Sequence, residues 1–168
     1  FYTICGLPLG WMVDRYPRRR IIFWGIVTWS LFTCLSGLAD SYQHLLLARF
    51  GVGAGEAALL PAAYSMISDA VDRKRVSGAL AVFSLGAIVG GSLSLALGGG
   101  IAGWAEARGG AVLPVIGHVA PWQLVFLVVG SAGFPIAFLI FLVKEPPRGG
   151  AGAAETGPPD GALAHARL

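Results

Sequence analysis

An arginine and a glutamate in one apolar run are the first residues here that could do chemistry. Arg49 and Glu56 are seven positions apart, and the run Leu45–Ser68 holds no other Asp, Glu, Lys or Arg. A charged side chain in hydrocarbon is costly, so such residues mark a functional site by default. On a helix, seven residues at about 100° each return to nearly the same face, two turns along. The two side chains can then approach each other, share a water, or share a partner on another helix. In general, low dielectric holds a proton on a carboxyl group and a neighbouring arginine releases it. Small rearrangements of such a pair can therefore load and unload a proton. The arginine can equally hold a substrate carboxylate or phosphate. The plain alternative is an ion pair that only fixes helix packing.

A second group lies nearer the start, in Gly10-Trp-Met-Val-Asp14-Arg15-Tyr-Pro-Arg18-Arg19-Arg20. Gly10 and Asp14 are four apart, so they share a face at a helix end. A small residue there admits a neighbouring helix. The Asp can face that helix's N-terminus, whose dipole favours an anion. The arginines can hold carboxylates, or can serve only as a topology signal. Gly51, Gly53 and Gly55 keep the surface low around Arg49 and Glu56. Gly51 and Gly55 form a Gly-x-x-x-Gly pair, and Gly86 and Gly90 repeat that spacing later. Helix packing is the favoured role for all five. Pro61 is expected to bend its run. Cys5 and Cys34 lack metal-ligand spacing, and His44, His118 and His165 fall in loops or the tail. No metal site, catalytic residue or cofactor is expected.

The elements that must position these residues are membrane helices. Only 12% of the 168 residues are charged, against about 25% in a soluble domain. The hydrophobic share is 55% and the mean hydropathy +0.71. Such a chain cannot cover a water-facing surface with charge. That argues against a soluble enzyme, a nucleic-acid binder and a disordered protein together. Four runs of spanning length are expected at about 21–38, 45–68, 77–104 and 122–143, with a partial one at 1–13. The chain reads as a fragment that begins inside a helix. Residues 149–168, rich in Gly, Ala and Pro, are expected to form a flexible linker or tail after a transmembrane domain at 1–148.

The net charge of +3 is mainly a topology signal. Alternating the four spans puts Arg15, Arg18, Arg19, Arg20, Arg73, Lys74, Arg75, Lys144, Arg148 and Arg167 on one side. The other side holds only Arg108. The positive-inside rule then makes the arginine-rich loop and the tail cytoplasmic. The apolar stretch Val112–Ile116 in the outer loop is expected to rest on the interface.

The motifs together resemble a known family. Gly-x-x-x-Asp-Arg-x-x-Arg-Arg between two helices resembles the loop signature of the major facilitator superfamily, with Pro17 where the commonest version has Gly. Arg49-x-x-x-Gly-x-Gly-Glu-Ala, continuing to Ser68-Asp69, looks like the fourth helix of its bacterial Spinster-like branch. The glycine-rich third span resembles the fifth helix, and Trp122 through Glu145-Pro-Pro-Arg the sixth. The resemblance implies an all-α polytopic membrane protein holding helices two (partial) to six of the N-terminal half. The first helix and the C-terminal half would be missing partners. It also implies a secondary active transporter of a small organic or amphipathic solute, working by alternating access in a bacterial cell membrane. Arg49 and Glu56 would serve proton coupling or substrate binding. Gly10, Asp14, Arg15, Arg18, Arg19 and Asp69 would form a cytoplasmic gate, with Asp69 paired to Arg18 in the outward-facing state. A non-transporting membrane protein, an assembly factor or receptor-like relative, is the competing possibility. An integral membrane enzyme finds no supporting motif.

Overall fold

The computed structural model describes residues 2–114 and 117–147. Arg148, Arg167 and the expected tail at 149–168 lie outside the described residues. The described residues form helices α1 (Tyr2–Arg15), α2 (Arg18–Gly37), α3 (Tyr42–Ala57), α4 (Leu59–Ala70), α5 (Val76–Glu106) and α6 (Pro121–Leu139). Two short strands, β1 (Ala111–Leu113) and β2 (Gly117–Val119), lie between α5 and α6. α2, the α3–α4 pair, α5 and α6 with its terminal turn are long and apolar enough to cross a membrane.

Local chemistry sets the boundaries. Pro17 disfavours helix at Tyr16, which ends α1. At φ −56° it then caps α2 and accepts from the Arg20 and Ile21 amides. Ser41 caps α3 by accepting from the His44 amide at 3.2 Å. The Ala57 carbonyl cannot be met by Pro61, which lacks an N–H. The helix breaks there, at Ala58, and becomes α3 and α4. The expected bend is thus a short interruption one turn before the proline. Pro121 opens α6 in its first turn. The Gln123 side chain accepts from the Ala120 amide at 2.9 Å and donates to the Ala39 carbonyl at 3.2 Å. That ties the start of α6 to the end of α2.

α2 is the central element. It packs along both α6 and α3 through small residues. A Cβ on Gly130 would lie 2.6 Å from Cys34 Sγ, and one on Gly37 2.7 Å from the Gln123 carbonyl. Thr33 and Ser36 donate to carbonyls one turn back, at Trp29 and Phe32. Their hydroxyls are therefore satisfied inside the helix. A second cluster, Val13, Ile21, Ile22, Ala58, Ala62 and Met66, joins α1, α2 and α4 near the arginine-rich loop.

α5 behaves differently. Ala105 is its one buried residue, and Leu85, Ile88 and Leu95 are all more than half exposed. At 31 residues it is about 46 Å long, more than a ~30 Å hydrocarbon core. The outer loop also departs from expectation. Its described part folds into an antiparallel hairpin pairing Ala111 with Val119 and Val112 with His118. Gly109, Gly110 and Gly117 all have positive φ there, a backbone that side-chain-bearing residues rarely adopt.

Candidate functional site

Two groups of charged residues occupy different parts of the bundle. The first gathers at the end carrying the arginine-rich loop. Arg18 sits in the first turn of α2, buried. Its guanidinium donates to Asp69 of α4 at 2.5 Å and to the Ser65 carbonyl at 3.3 Å. Its backbone amide donates to Glu145 Oε1 at 2.8 Å. An anion thereby meets the positive end of α2. Arg19 donates to the Phe141 carbonyl and lies 5.5 Å from that residue's ring centroid. Arg15 stacks on Trp11 at 4.2 Å. Asp14 is exposed at the end of α1, and Gly10 has open space where a Cβ would stand. The loop, the α4 terminus and the segment after α6 are thus joined through Arg18.

The second group is on α3. Gly51 and Gly55 turn toward α2. A Cβ on Gly55 would lie 2.6 Å from the Trp29 amide nitrogen, and one on Gly51 would run into the Phe32 ring. Arg49 and Glu56 consequently face away from α2, with half-buried Gly53 on their side of the helix. Both charged residues are exposed. They are about 10 Å apart along the axis and form no ion pair with each other. Arg49 finds its partner on another helix: its Cζ stands 4.4 Å from the Phe126 ring centroid on α6. Gly86 and Gly90 of α5 have nothing within 4 Å of a built Cβ.

These two arrangements sit on a chain that matches a known family over nearly its whole length. The Major Facilitator Superfamily matches residues 1–166. The chain belongs to the Major Facilitator Superfamily. Its likeness extends to solved structures of bacterial Spinster homologues. One, a bacterial homologue of the human lysosomal transporter Spinster in an inward-facing, unoccupied conformation, superimposes with a TM-score of 0.75 at 37% identity. The alignment covers 89% of this chain and 34% of that one. Protein spinster of Drosophila melanogaster is 30% identical, over 88% of this chain and 22% of its own length. A probable galactarate/D-glucarate transporter of Escherichia coli K12, GudP, is 27% identical over 86% of this chain and 30% of its own. The chain therefore spans about a third or less of these relatives. As a facilitator with four apolar spans, it is an integral membrane protein.

Three contacts of the facilitator motifs were not read in the sequence, those made by Phe126, Ser65 and Glu145, although Glu145 was quoted in the sixth-helix pattern. Glu145 left a usable signal. It follows the last apolar run, on the side where the charge count places the arginine-rich loop. Phe126 left none, because it is one aromatic in an uncharged run.

Proposed function

We propose that this chain is part of a secondary active transporter that moves a small organic or amphipathic solute by alternating access, coupled to protons. The observation that carries this is the open face of α3. Arg49 and Glu56 are two charges in an apolar span, held outward by Gly51 and Gly55 packing behind them. Charges in a span are retained where they line a water-filled path or bind a solute. Named relatives include transporters of sugar acids, and GudP is one. An acid substrate suits an arginine that is stacked on a ring and still exposed to receive it.

Glu56 is the proton-carrying residue in this proposal and Arg49 the substrate-holding one. Gly10, Asp14, Arg15, Arg18, Arg19 and Asp69 form the cytoplasmic gate, around the Arg18–Asp69 pair. Gly86 and Gly90 provide the face on which α5 meets the remainder of the transporter. The positive charges at the loop end orient that end toward the bacterial cytoplasm.

The test is uptake by the full-length protein in liposomes under an imposed proton gradient. Glu56→Gln is expected to abolish gradient-driven accumulation while leaving solute exchange at equilibrium. Undiminished gradient-driven accumulation in that variant removes the coupling role.

A further inference from the structure

A cavity of about 650 Å³ opens between α1, α2 and α3. Neither Arg49 nor Glu56 lines it. Pro8, Leu9 and Met12 form one wall and Ile21 and Trp24 the other. α3 makes the floor, where Gly55 packs closely on α2. Tyr16 and Pro17 close one end, at the arginine-rich loop.

Arg20 is the one charged residue lining this groove. The other loop arginines are engaged: Arg15 on Trp11, Arg18 on Asp69, and Arg19 on the Phe141 carbonyl. Among the described residues, Arg20 makes no ion pair. The groove runs from Arg20 to Thr28, about 12 Å of helix. Half of a ~30 Å hydrocarbon core is about 15 Å. The groove thus begins at the headgroup level of one leaflet and ends near the bilayer centre.

We propose that this groove seats one acyl chain of an anionic phospholipid from the leaflet at the arginine-rich end, with the phosphate held by Arg20. The walls offer the chain an apolar bed. The guanidinium offers the phosphate a two-pronged donor that is not occupied by a carboxylate. A lipid bound here wedges α1 away from α2 next to the gate motif.

Cys5 lies in the groove wall, about 13.5 Å along α1 from Asp14. It supports a direct test. The full-length protein, with Cys5 as its only cysteine, carries a bimane there and is placed in phosphatidylcholine vesicles. Brominated phosphatidylglycerol or brominated phosphatidylcholine is then added at the same low mole fraction. The anionic phosphatidylglycerol is expected to quench about fivefold more effectively, the usual preference conferred by one arginine near an anionic headgroup. Arg20→Gln is expected to cancel that preference and Arg20→Lys to keep most of it. Thr28→Phe, which fills the deep end, is expected to reduce quenching with Arg20 intact. Equal quenching by the two lipids overturns the proposal, as does an unchanged preference in Arg20→Gln. Absence of quenching by either lipid also overturns it, because another protein segment then fills the groove.

Discussion

The guanidinium of Arg18 meets the carboxylate of Asp69 at 2.5 Å, with the side chains only 6% and 17% exposed. An exposed ion pair contributes about 0.2–1 kcal/mol. This one is largely withdrawn from water, so losing a partner strands the other charge. Arg18→Ala is expected to cost roughly 3 kcal/mol. Asp69→Asn should cost less, because the amide oxygen still accepts from the guanidinium and the Ser65 carbonyl remains. A double-mutant cycle on thermal unfolding of the full-length protein in detergent measures the coupling. A coupling near zero means that the pair adds nothing beyond its separate contacts.

Much of this fold was legible from apolar run length alone. Runs at 21–38 and 122–143 became α2 and α6, because a span must satisfy its own backbone in lipid. Pro61 announced the break between α3 and α4. The hairpin after α5 was hidden, since Val112 and its neighbours read equally well as an interfacial patch. The Arg18–Asp69 contact came from family resemblance; the charge pattern alone favoured a topology signal. The Arg49–Phe126 contact was invisible because it depends on which faces of α3 and α6 meet. The spacing within α3 put Arg49 and Glu56 two turns apart and left open whether they meet each other or a partner on another helix; the structure gives Arg49 the Phe126 ring of α6.

The glycines separate into two classes with opposite expected behaviour. A Cβ at Gly55 collides with backbone, at 2.6 Å from the Trp29 amide nitrogen and 2.8 Å from the Gly25 carbonyl. Backbone cannot rotate away as a side chain can. Gly55→Ala is therefore expected to cost about 1–3 kcal/mol. Gly86 and Gly90 meet nothing. Gly86→Ala should be neutral or slightly stabilising within this part of the protein, since alanine favours helix by about 1 kcal/mol. If their face packs on the remainder of the full-length protein, Gly90→Leu lowers its folded yield. If the face meets only lipid, that yield stays unchanged. Detergent-solubilised yield and melting temperature distinguish the two.

Asp40, in the short loop between α2 and α3, is paired with His44 in the first turn of α3. The hydrogen bond from His44 holds the Asp40 carboxyl below its ordinary value of 3.8, helped by its own backbone amide. A lowered carboxyl pKa contributes stability above the unfolded value, and that contribution is lost as pH falls through the lowered folded value. The window is therefore below about pH 4, and the pair leaves stability at neutral pH insensitive to Asp40 titration. His44→Ala is expected to return the Asp40 carboxyl toward 3.8. A carboxyl-carbon NMR titration of labelled protein reads this directly. An unmoved titration curve in His44→Ala assigns the shift to the backbone alone.

Arg49 stands 4.4 Å from the Phe126 ring centroid while its charge remains exposed. A guanidinium over a ring gains about 0.5–1 kcal/mol at exposed sites and about 2 kcal/mol when water is excluded. The ring fixes where the guanidinium points without neutralising it, which under the proposed function leaves the charge for a solute. Phe126→Leu keeps the apolar volume of α6 and removes the ring. It is expected to weaken binding of an acidic solute several-fold, with little change in melting temperature, by freeing the arginine to other rotamers. Phe126→Tyr should retain near-normal binding. Arg49→Lys should resemble Phe126→Leu, because a compact ammonium neither stacks as a plane nor holds a carboxylate with two donors. Adding Phe126→Leu to Arg49→Lys should then cost little more. Isothermal binding measurements on the full-length protein supply the four affinities. Additive losses would show that Phe126 acts on the site by a route other than orienting Arg49.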